Sequence, residues 1–477
     1  MSLAHYINGA WETGSGANVI TVFDPSLGQP IAQFTSASSP QVDAAIAAAR
    51  QALPAWRSTT PQQRAAVLRQ FAEQLQQRRE SLIELQMQNN GKPRQEAAVD
   101  IEDAIGTFRY YAQLVEDQAP QQDREVTLAA PDYHSRTRFE AVGVVGLIVP
   151  WNFPLVTSAW KLAPALAAGC TVVLKPSEIT PMIEQTYGQI ADAIGLPAGV
   201  LNIVIGKADT GAALSNHPGL DKLSFTGSNA VGSQVMRSAA AHCRPVTLEL
   251  GGKSAIVVFE DSDLVQATDW IIAGICWNAG QMCSATSRLL VHASIADALT
   301  TRLVAALEKL RVGNPFAGEV DMGPLTTAAQ RAKVLEYFAI AESEGLQCQA
   351  GGHTLQEDGW FVAPTLYTDV PATSRLWTEE IFGPVLCSQR FSSEEQAIAL
   401  ANDSRFGLVA TVISQDLDRA ERVANALEVG HVWINSVQAV FVETSWGGTK
   451  GSGIGRELGP WALAAYQSIK HVTRPRV

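Results

Sequence analysis

The sequence predicts an α/β protein built from two doubly wound α/β lobes and one additional β-hairpin. Three features support this prediction. Five short apolar strands alternate with helices between residues 142 and 250, a second alternation follows Gly252, and two strand-like runs are separated by Pro131-Asp132. Strands that alternate with helices favour parallel sheets, because parallel neighbours need a long crossover connection. The chain contains no repeat, low-complexity tract or long Gly/Ser linker.

Length and composition exclude several classes of protein. The chain has 477 residues, 46 % hydrophobic and 17 % charged, so it is neither disordered nor a coiled coil. At roughly 100–200 residues per domain, we expect about two to four units. The formal net charge of −12 argues against nucleic acid or an anionic membrane as the main partner. Residues 141–150 are the most apolar stretch, about half of the roughly 20 residues that a membrane span needs.

The first residues and the cysteines predict a cytoplasmic protein without a bound metal. The start, MSLAHYINGAWE, lacks the basic and apolar regions of a secretory signal. The six cysteines are scattered and form no C-x-x-C pair, which favours reduced thiols over a disulfide framework or a zinc site. The default role of each cysteine is that of a small buried hydrophobe. A reactive cysteine must therefore differ in its surroundings.

The individual elements follow from local patterns. Residues 40–117 are predicted to be helical: Pro61 opens an amphipathic stretch to about Met87, and a second helix covers 94–117. Runs 125–129 and 135–141 predict the hairpin. The first alternation has strands at 142–149, 171–174, 200–205, 222–225 and 245–248, and helices near 155–168, 181–194, 209–217 and 229–241. The second has helices at 262–279 and 296–310, and strands near 287–291, 361–367, 385–390 and 408–413.

Two motifs at predicted strand ends are suited to a nucleotide. One predicted strand ends in Gly227-Ser228, and a predicted helix begins directly after it. The backbone amides at the N-terminus of that helix can hold a pyrophosphate. Ordinary helix capping explains the same two residues, and a G-x-G-x-x-G motif is absent after the first strand. Another strand ends in Lys175-Pro-Ser-Glu178, where the carboxylate can accept hydrogen bonds from a ribose diol. A surface ion pair is the alternative there.

One cysteine stands in distinctive surroundings. Cys283 lies in Gly-Gln-Met-Cys-Ser-Ala-Thr, between a helical run and a strand, which favours an accessible thiol. A free thiol has a pKa of roughly 8.5, so a nucleophile here needs activation. Glu249 ends a strand among apolar neighbours, and burial would raise its pKa toward that of a useful base. Asn152, after the first strand of the alternation, is a candidate donor to an oxyanion.

With these residues in view, the chain resembles the NAD(P)-dependent aldehyde dehydrogenase superfamily over nearly its whole length. The resemblance implies an aldehyde dehydrogenase-like fold with a β-hairpin oligomerisation arm. The blocks that carry it, in family order, are Pro150–Pro154, Lys175–Glu178, Phe225–Ser228, Glu249–Lys253, Gly280–Arg288, Glu379–Pro384 and Gly451–Leu458.

The resemblance also implies roles for individual residues. Cys283 would attack an aldehyde, Asn152 and the Cys283 backbone N–H would hold the oxyanion, and Glu249 would activate water to hydrolyse the thioester. Lys161 and Glu457 match positions that relay protons from Glu249. The implied cofactor residues are Trp151, Lys175, Ser177, Glu178, Gly227, Ser228, Leu250, Gly251, Glu380 and Phe382.

The same comparison narrows the reaction and the cofactor. Glu249 favours hydrolysis to the free acid, because relatives that transfer the acyl group to coenzyme A usually lack it. Glu178 would repel a 2′-phosphate, which favours NAD over NADP, although NADP is possible. Ala141 and Ala208 depart from the Pro and Gly that are frequent at those positions. Neither departure touches the chemistry, but Ala208 concerns the adenine loop.

The resemblance divides the chain into three parts and implies an oligomer. The cofactor domain would comprise residues 1–118 and 142–251, and the catalytic domain residues 252–444. The oligomerisation arm and C-terminal segment would comprise 119–141 and 445–477. Because the arm pairs subunits in this family, we expect a homodimer or homotetramer.

The substrate is predicted from aromatic and acidic residues. Phe153, Trp160, Trp277 and Trp446 are similar to the aromatic box of the betaine-aldehyde and ω-aminoaldehyde dehydrogenase branch, and aromatic faces attract an ammonium group. Asp100 and Asp103 share a helix face and match acids at the mouth of its substrate tunnel. Plain packing and a solvated acidic face are the alternatives. An uncharged aromatic or aliphatic aldehyde is the rival substrate, and succinic semialdehyde would meet the two acids unfavourably.

Two other functions remain to be separated from this one. A catalytically idle structural member would have lost Cys283, Glu249 or Asn152, and all three are present. A cysteine hydrolase would form acid from esters without a cofactor, whereas a dehydrogenase requires NAD.

Overall fold

The computed structural model describes residues 3–355 and 358–476. In the N-terminal part, up to residue 141, the elements are β1 (His5–Ile7), β2 (Ala10–Glu12), β3 (Val19–Asp24), β4 (Gln29–Thr35), α1 (Ser39–Arg57), α2 (Pro61–Gln77), α3 (Arg79–Asn90), α4 (Arg94–Asp117), β5 (Asp123–Val126) and β6 (Tyr133–Ala141). The next group is β7 (Val144–Ile148), α5 (Pro154–Ala168), β8 (Thr171–Lys175), α6 (Gln185–Ile194), β9 (Leu201–Ile203), α7 (Ala208–Asn216), β10 (Lys222–Thr226), α8 (Asn229–Ala241) and β11 (Val246–Glu249).

The remaining elements form the second lobe and the C-terminal segment. They are β12 (Ala255–Val258), α9 (Leu264–Cys276), β13 (Arg288–His292), α10 (Ala296–Lys309), α11 (Ala328–Ser343), β14 (Gln347–Ala350), β15 (Thr365–Thr368), α12 (Arg375–Thr378), β16 (Val385–Phe391), α13 (Glu394–Asn402), β17 (Phe406–Gly407), β18 (Val409–Ile413), α14 (Leu417–Ala426), β19 (His431–Ile434), β20 (Thr449–Lys450), β21 (Gly453–Ile454), α15 (Gly459–Ala465) and β22 (Gln467–Pro475).

Two large sheets organise the molecule. The first has the order β2-β1-β9-β8-β7-β10-β11-β21, and its five central strands are parallel. The second has the order β14-β15-β16-β13-β12-β18-β19 and is parallel except for β14. Every residue of β7 is buried, as expected for a central strand covered by helices on both faces. The predicted α/β fold class is confirmed.

The first sheet changes winding direction at β7. The chain runs from β7 through β8 to β9 on one side and then continues with β10 and β11 on the other. In open α/β sheets, ligands bind outside the carboxyl ends of the strands at such a switch point. The segments that follow β7 and β10 therefore border the expected crevice.

Most predicted helices and strands of the first alternation are present with shifts of a few residues. The stretch from Pro61 to Met87 is divided at Arg78, whose φ of −96° and ψ of 5° end α2 and begin α3. At the start of α2 the Thr60 hydroxyl accepts the Gln63 N–H at 3.2 Å, which satisfies a free amide of the first turn. The elements that sequence reasoning missed are β1–β4, β12, β14, β17, β19–β21 and α11–α15.

The hairpin joins the C-terminal strand in a small sheet of its own. Strands β5 and β6 pair antiparallel, and β22 pairs along the whole length of β6, in the order β22-β6-β5. The domain boundaries remain a prediction. The segment 445–477 does not lie only in this small sheet, because β21 pairs with β11 and the α15 residues Ala462 and Leu463 lie in the core of the first lobe.

Residues 3–355 and 358–476 contain neither a membrane-spanning helix nor a metal-binding cluster. No helix there is long and apolar enough to cross a membrane. The same ranges hold no group of three or more His, Cys, Asp or Glu side chains placed to bind a metal ion.

Candidate active site

A cavity of about 510 Å³ lies where the two lobes meet, at the carboxyl ends of β7, β10 and β11. It brings together residues that are distant in sequence and that the sequence predicted for three different roles. The predicted site residues that line it are Asp100, Asp103, Trp151, Asn152, Phe153, Trp160, Gly227, Ser228, Leu250, Gly251, Trp277, Cys283, Glu380, Phe382 and Trp446. The predicted residues outside its lining are Lys161, Lys175, Ser177, Glu178, Glu249 and Glu457.

The cysteine loop is strained where it turns toward the cavity. After α9 ends, Asn278, Ala279 and Gly280 have φ values of 50°, 51° and 73°. The left-handed conformation costs a non-glycine residue roughly 1–2 kcal/mol, so the surrounding contacts must hold this bend. The bend places Cys283 on the cavity wall, partly exposed, whereas Cys170, Cys276 and Cys387 are buried.

The Cys283 thiol is neutral in this environment. Burial and, to a lesser extent, the nearby carboxylates of Glu249 and Glu380 raise its pKa to about 12, although hydrogen bonds from the backbone of Ser284 and Cys283 favour the thiolate. A nucleophilic role therefore requires that a base remove the proton. The effect of Glu249 on this pKa shows that the two side chains lie within electrostatic reach of each other.

Asn152 is held on the cavity wall by the same loop. Its Nδ2 donates to the carbonyl oxygen of Gln281 at 2.9 Å, and Asn278 Nδ2 donates to the carbonyl oxygens of Asn152 at 3.0 Å and Gln281 at 3.2 Å. These bonds fix the side-chain amide next to the backbone of the cysteine loop. Such a preorganised amide is the type of donor that an oxyanion requires.

Glu249 lies behind the cavity wall, in a buried cluster of charged groups. Neither of its carboxylate oxygens has a hydrogen-bond partner within the described residues. Burial raises the Glu249 pKa well above its usual value, the negative Glu457 raises it further, and Lys161 opposes both. Lys161 and Glu457 form a buried ion pair. A Cβ on Gly447 would lie 2.7 Å from Glu249 Oε1, so this glycine leaves room for the carboxylate.

The cavity continues past Gly227 toward residues of the second lobe. Ser228 caps α8, because its hydroxyl oxygen accepts the Val231 N–H at 3.4 Å. The helix capping that was the alternative to pyrophosphate binding is therefore present, and the same residue also lines the cavity. Glu380 Oε1 accepts the Gly252 N–H at 3.0 Å. The rings of Trp151 and Phe382 meet edge to face at 5.4 Å, and Phe382 has a φ of 62°.

Lys175 and Glu178 lie outside the cavity, where β8 ends next to β7. Their Nζ and Oε2 atoms are 3.6 Å apart, and the Lys175 ammonium also donates to the Pro176 carbonyl oxygen at 3.0 Å. Ser177 Oγ accepts the Ile179 N–H at 3.2 Å. Lys175 is buried whereas Glu178 keeps 30 % of its side chain exposed, so the carboxylate can still meet a ligand.

The cavity lining also contains aromatic and acidic side chains, among them Trp160, Trp446 and Asp103. Trp160 and Trp446 pack at 5.7 Å with an interplanar angle of 62°, and Trp160 Nε1 donates to Asp103 Oδ1 at 2.7 Å. Burial, opposed by the hydrogen bond from Trp160 and assisted by the nearby Asp100, raises the pKa of Asp103 to about 7. Asp103 therefore changes charge near neutral pH.

The structure alters the expectation for Asp100 and Phe153. Lys92, which is fully buried, pairs with Asp100, so the two charges compensate each other. The same ammonium lies 3.5 Å from the centre of the Phe153 ring. Asp100 and Phe153, which the sequence predicted to bind a cationic substrate, therefore already contact the ammonium group of Lys92. Asp103 and the tryptophans remain available.

Sequence reasoning missed two groups of lining residues. Gln330 and Lys333, three residues apart on α11, donate to the Phe382 carbonyl at 2.7 Å and the Glu380 carbonyl at 2.9 Å, so they hold that segment. The only sequence signal for these two residues was their i, i+3 spacing, which places them on one face of a helix, and the helix itself, α11, was not predicted. Gln438 exchanges two hydrogen bonds with Ser284, at 2.7 and 2.9 Å, and its loop carries no motif.

The chain belongs to the aldehyde dehydrogenase family, whose model matches residues 11–472. It is therefore an aldehyde-oxidising oxidoreductase, and the predicted family is confirmed. The betaine aldehyde dehydrogenase of Beta vulgaris, a chloroplastic protein, is 44 % identical over 476 residues, 98 % of this chain and 95 % of that protein. The peroxisomal aminoaldehyde dehydrogenase 2 of Pisum sativum is also 44 % identical, over 477 residues with the same two coverages.

The fold agrees equally well with a solved structure. Betaine aldehyde dehydrogenase from Staphylococcus aureus, crystallised with NAD⁺, superposes with a TM-score of 0.97 at 36 % identity, covering 100 % of this chain and 96 % of that one. The predicted cytoplasmic location is wrong by these comparisons, because the plant relatives are chloroplastic and peroxisomal proteins. Scattered reduced cysteines do not distinguish the cytosol from such compartments.

Proposed function

We propose that the chain oxidises an ω-aminoaldehyde or betaine aldehyde to its carboxylic acid, with NAD as the cofactor. The observation that carries this proposal is a single cavity. It holds a partly exposed cysteine beside a fixed amide, and Asp103 and two tryptophans line the same cavity. The names of the relatives, betaine aldehyde and aminoaldehyde dehydrogenases, support the substrate class.

The residues present fit NAD. A Cβ on Gly251 would lie 2.4 Å from Glu380 Oε2, so the bare backbone of this glycine leaves room for that carboxylate. Thr226 Oγ1, on the cavity wall beside Gly227, has no hydrogen-bond partner within the described ranges. Glu178 and Glu380 would hold the two ribose diols, with Lys175 beside Glu178. When bound, NAD accepts the hydride that the substrate carbon gives up.

Cys283 is the nucleophile in this proposal. The thiol gives its proton to water, the sulfur bonds to the aldehyde carbon, and the C=O π bond breaks, so that the former carbonyl oxygen becomes the oxyanion of the thiohemiacetal. Asn152 Nδ2 and the Cys283 backbone N–H donate to that oxygen, and one such donor is worth roughly 3–4 kcal/mol of transition-state stabilisation. Oxidation at this carbon leaves a thioester on Cys283.

Glu249 is the base that completes the reaction. Its unpaired carboxylate lies close enough to influence Cys283 but outside the cavity lining, so the side chain must rotate to reach the thioester. It takes a proton from water, the hydroxyl adds to the acyl carbon, and the bond to sulfur breaks to release the acid. The Lys161–Glu457 pair lies beside Glu249 and provides a route for that proton.

The test is NADH formation with a matched panel of aldehydes. 3-Aminopropanal, 4-aminobutanal and betaine aldehyde are compared with butanal, phenylacetaldehyde and succinic semialdehyde by kcat/KM, because this ratio measures discrimination. Preference for the cationic members supports the proposal. Preference for neutral aldehydes would indicate a dehydrogenase for uncharged aromatic or aliphatic aldehydes. Formation of acid without NAD would indicate a hydrolase.

A cysteine variant separates covalent chemistry from cofactor binding. Cys283→Ala removes the nucleophile, so we expect no NADH from any aldehyde while NAD still quenches tryptophan fluorescence. Cys276→Ala, which changes a buried cysteine at the end of the neighbouring helix, is the matched control and should stay active. Turnover by Cys283→Ala would exclude the covalent mechanism.

The arrangement of the chain also favours an oligomer. The proposed arm consists of 119–141 with the C-terminal strand, and in the described chain β22 is an edge strand of the small sheet with Ile469 68 % exposed. An exposed edge strand of nine residues is a ready partner for another chain. Light scattering should give the mass of a dimer or tetramer, and a monomer would contradict this.

A further inference from the structure

A buried acid on α4 contacts the strained part of the cysteine loop. Glu96 is only 3 % exposed, and its Oε2 accepts the backbone N–H of Asn278 at 2.9 Å. Asn278 is the first of the three consecutive residues with positive φ. Glu96 comes from the first lobe and lies 182 positions away in sequence, so this bond ties α4 to the loop that carries the nucleophile.

The contact continues to the amide that faces the substrate. The Asn278 side chain donates to the carbonyl oxygens of Asn152 and Gln281, and Asn152 Nδ2 in turn donates to Gln281. A shift of Asn278 would therefore displace the Asn152 backbone and the loop leading to Cys283 together. Because all these groups are buried, each lost partner would leave an unpaired polar atom.

The charges around Glu96 come from its own helix, the segment before it and α9. Burial raises the pKa of Glu96 to about 8, while Lys92 and the Asn278 N–H favour its carboxylate and Asp100 opposes it. Burial and, to a lesser extent, Glu96 raise the pKa of the Cys276 thiol. Lys92 itself is paired with Asp100. Glu96 is thus a buried acceptor with one direct hydrogen bond in the described structure, and that bond goes to the cysteine loop.

We propose that Glu96 is a positioning residue that holds Asn152 and the cysteine loop in the geometry needed for attack on the aldehyde. This inference rests on the proposed dehydrogenase function. Glu96 does not line the cavity, so it acts through Asn278 and not by contact with the substrate. It should affect the acylation step and leave NAD binding unchanged.

Three variants test this role. Glu96→Ala removes the acceptor, Glu96→Asp retracts it by one methylene, and Glu96→Gln keeps an acceptor oxygen at the same reach. A misplacement of reacting groups by about 1 Å costs on the order of 10²-fold in rate. We therefore expect the rate of the NADH burst to fall by about 10²-fold in Glu96→Ala and by less in Glu96→Asp. Gln should restore the burst to within about threefold of the unmodified enzyme.

Controls separate positioning from folding. Glu102→Gln, on the same helix with half of its side chain exposed, should leave the burst unchanged. NAD affinity by fluorescence should be equal in all variants. If E96A does not fold, E96D and E96Q carry the test.

The possible outcomes are distinct. A normal NADH burst in Glu96→Ala or Glu96→Asp would overturn the positioning role. A burst in Glu96→Gln that is as small as the burst in Glu96→Ala would also overturn it. Loss of NAD affinity in parallel with the burst would also overturn it, because the effect would then be general. If the unmodified enzyme formed no NADH from any aldehyde of the panel, the proposed function itself would fail, and this outcome is distinct from a failure of the positioning role.

Discussion

Replacing Asp103 by Asn tests whether a negative charge on the cavity wall recognises the substrate. Asparagine has nearly the same shape as aspartate, and its amide oxygen can still accept the Trp160 indole N–H that Asp103 accepts at 2.7 Å. The packing of Trp160 on Trp446 should therefore persist. The perturbation removes the charge and little else.

The expected effect follows from the position of this charge. A substrate ammonium about 5 Å from the carboxylate gains ~3 kcal/mol at an effective dielectric constant of about 20, which corresponds to about 10²-fold in kcat/KM. Asp100 cannot compensate for the loss, because Lys92 already neutralises it. Since the pKa of Asp103 is raised to about 7, the full difference should appear at pH 8, where the native side chain is ionised.

The assay compares kcat/KM for betaine aldehyde and butanal in Asp103→Asn and in the unmodified enzyme. Betaine aldehyde keeps its charge at every pH, so only the protein titrates. We expect a loss of about 10²-fold for betaine aldehyde and less than about threefold for butanal. Glu102→Gln, which removes an exposed acid of the same helix, should change neither. Equal losses for both substrates, or none, would refute charge recognition by Asp103.

Three further predictions concern pH and the general base. Because the pKa of Asp103 is about 7, it is neutral below and anionic above that pH, so KM for betaine aldehyde should fall from pH 6 to pH 8; the same profile in Asp103→Asn would contradict this. Glu249→Gln should keep the NADH burst but slow steady-state turnover by about 10²–10⁴-fold, and an unchanged steady state would remove Glu249 as the base. Gly447→Ala forces a Cβ against Glu249 Oε1 at a φ of 145°, so it should destabilise by about 1–3 kcal/mol in thermal unfolding and slow deacylation, whereas a normal rate would show that Glu249 rests elsewhere.

Local sequence patterns were sufficient for the strands and helices between residues 142 and 250. The apolar strands are short and buried, the helices between them carry their own start and stop residues, and these signals act over a few positions. The motifs after β7, β8 and β10 lie at strand ends, and parallel strands bring their carboxyl ends to one edge. Asn152 and Gly227, which follow two of these strands, both line the cavity.

Contacts between distant segments were decided only by the tertiary structure. The pairing of Lys92 with Asp100 changes the expected charge of the cavity, and no local pattern distinguishes a neutralised aspartate from a free one. The positive φ values of Asn278 and Ala279 are stabilised by partners elsewhere in the fold, including Glu96. Local propensity disfavours that conformation, so only the surrounding structure can select it. The sequence by itself thus determined the family and the chain order of the helices and strands between residues 142 and 250. The charge state and rigidity of the site depend on burial, which becomes defined only when the two lobes pack.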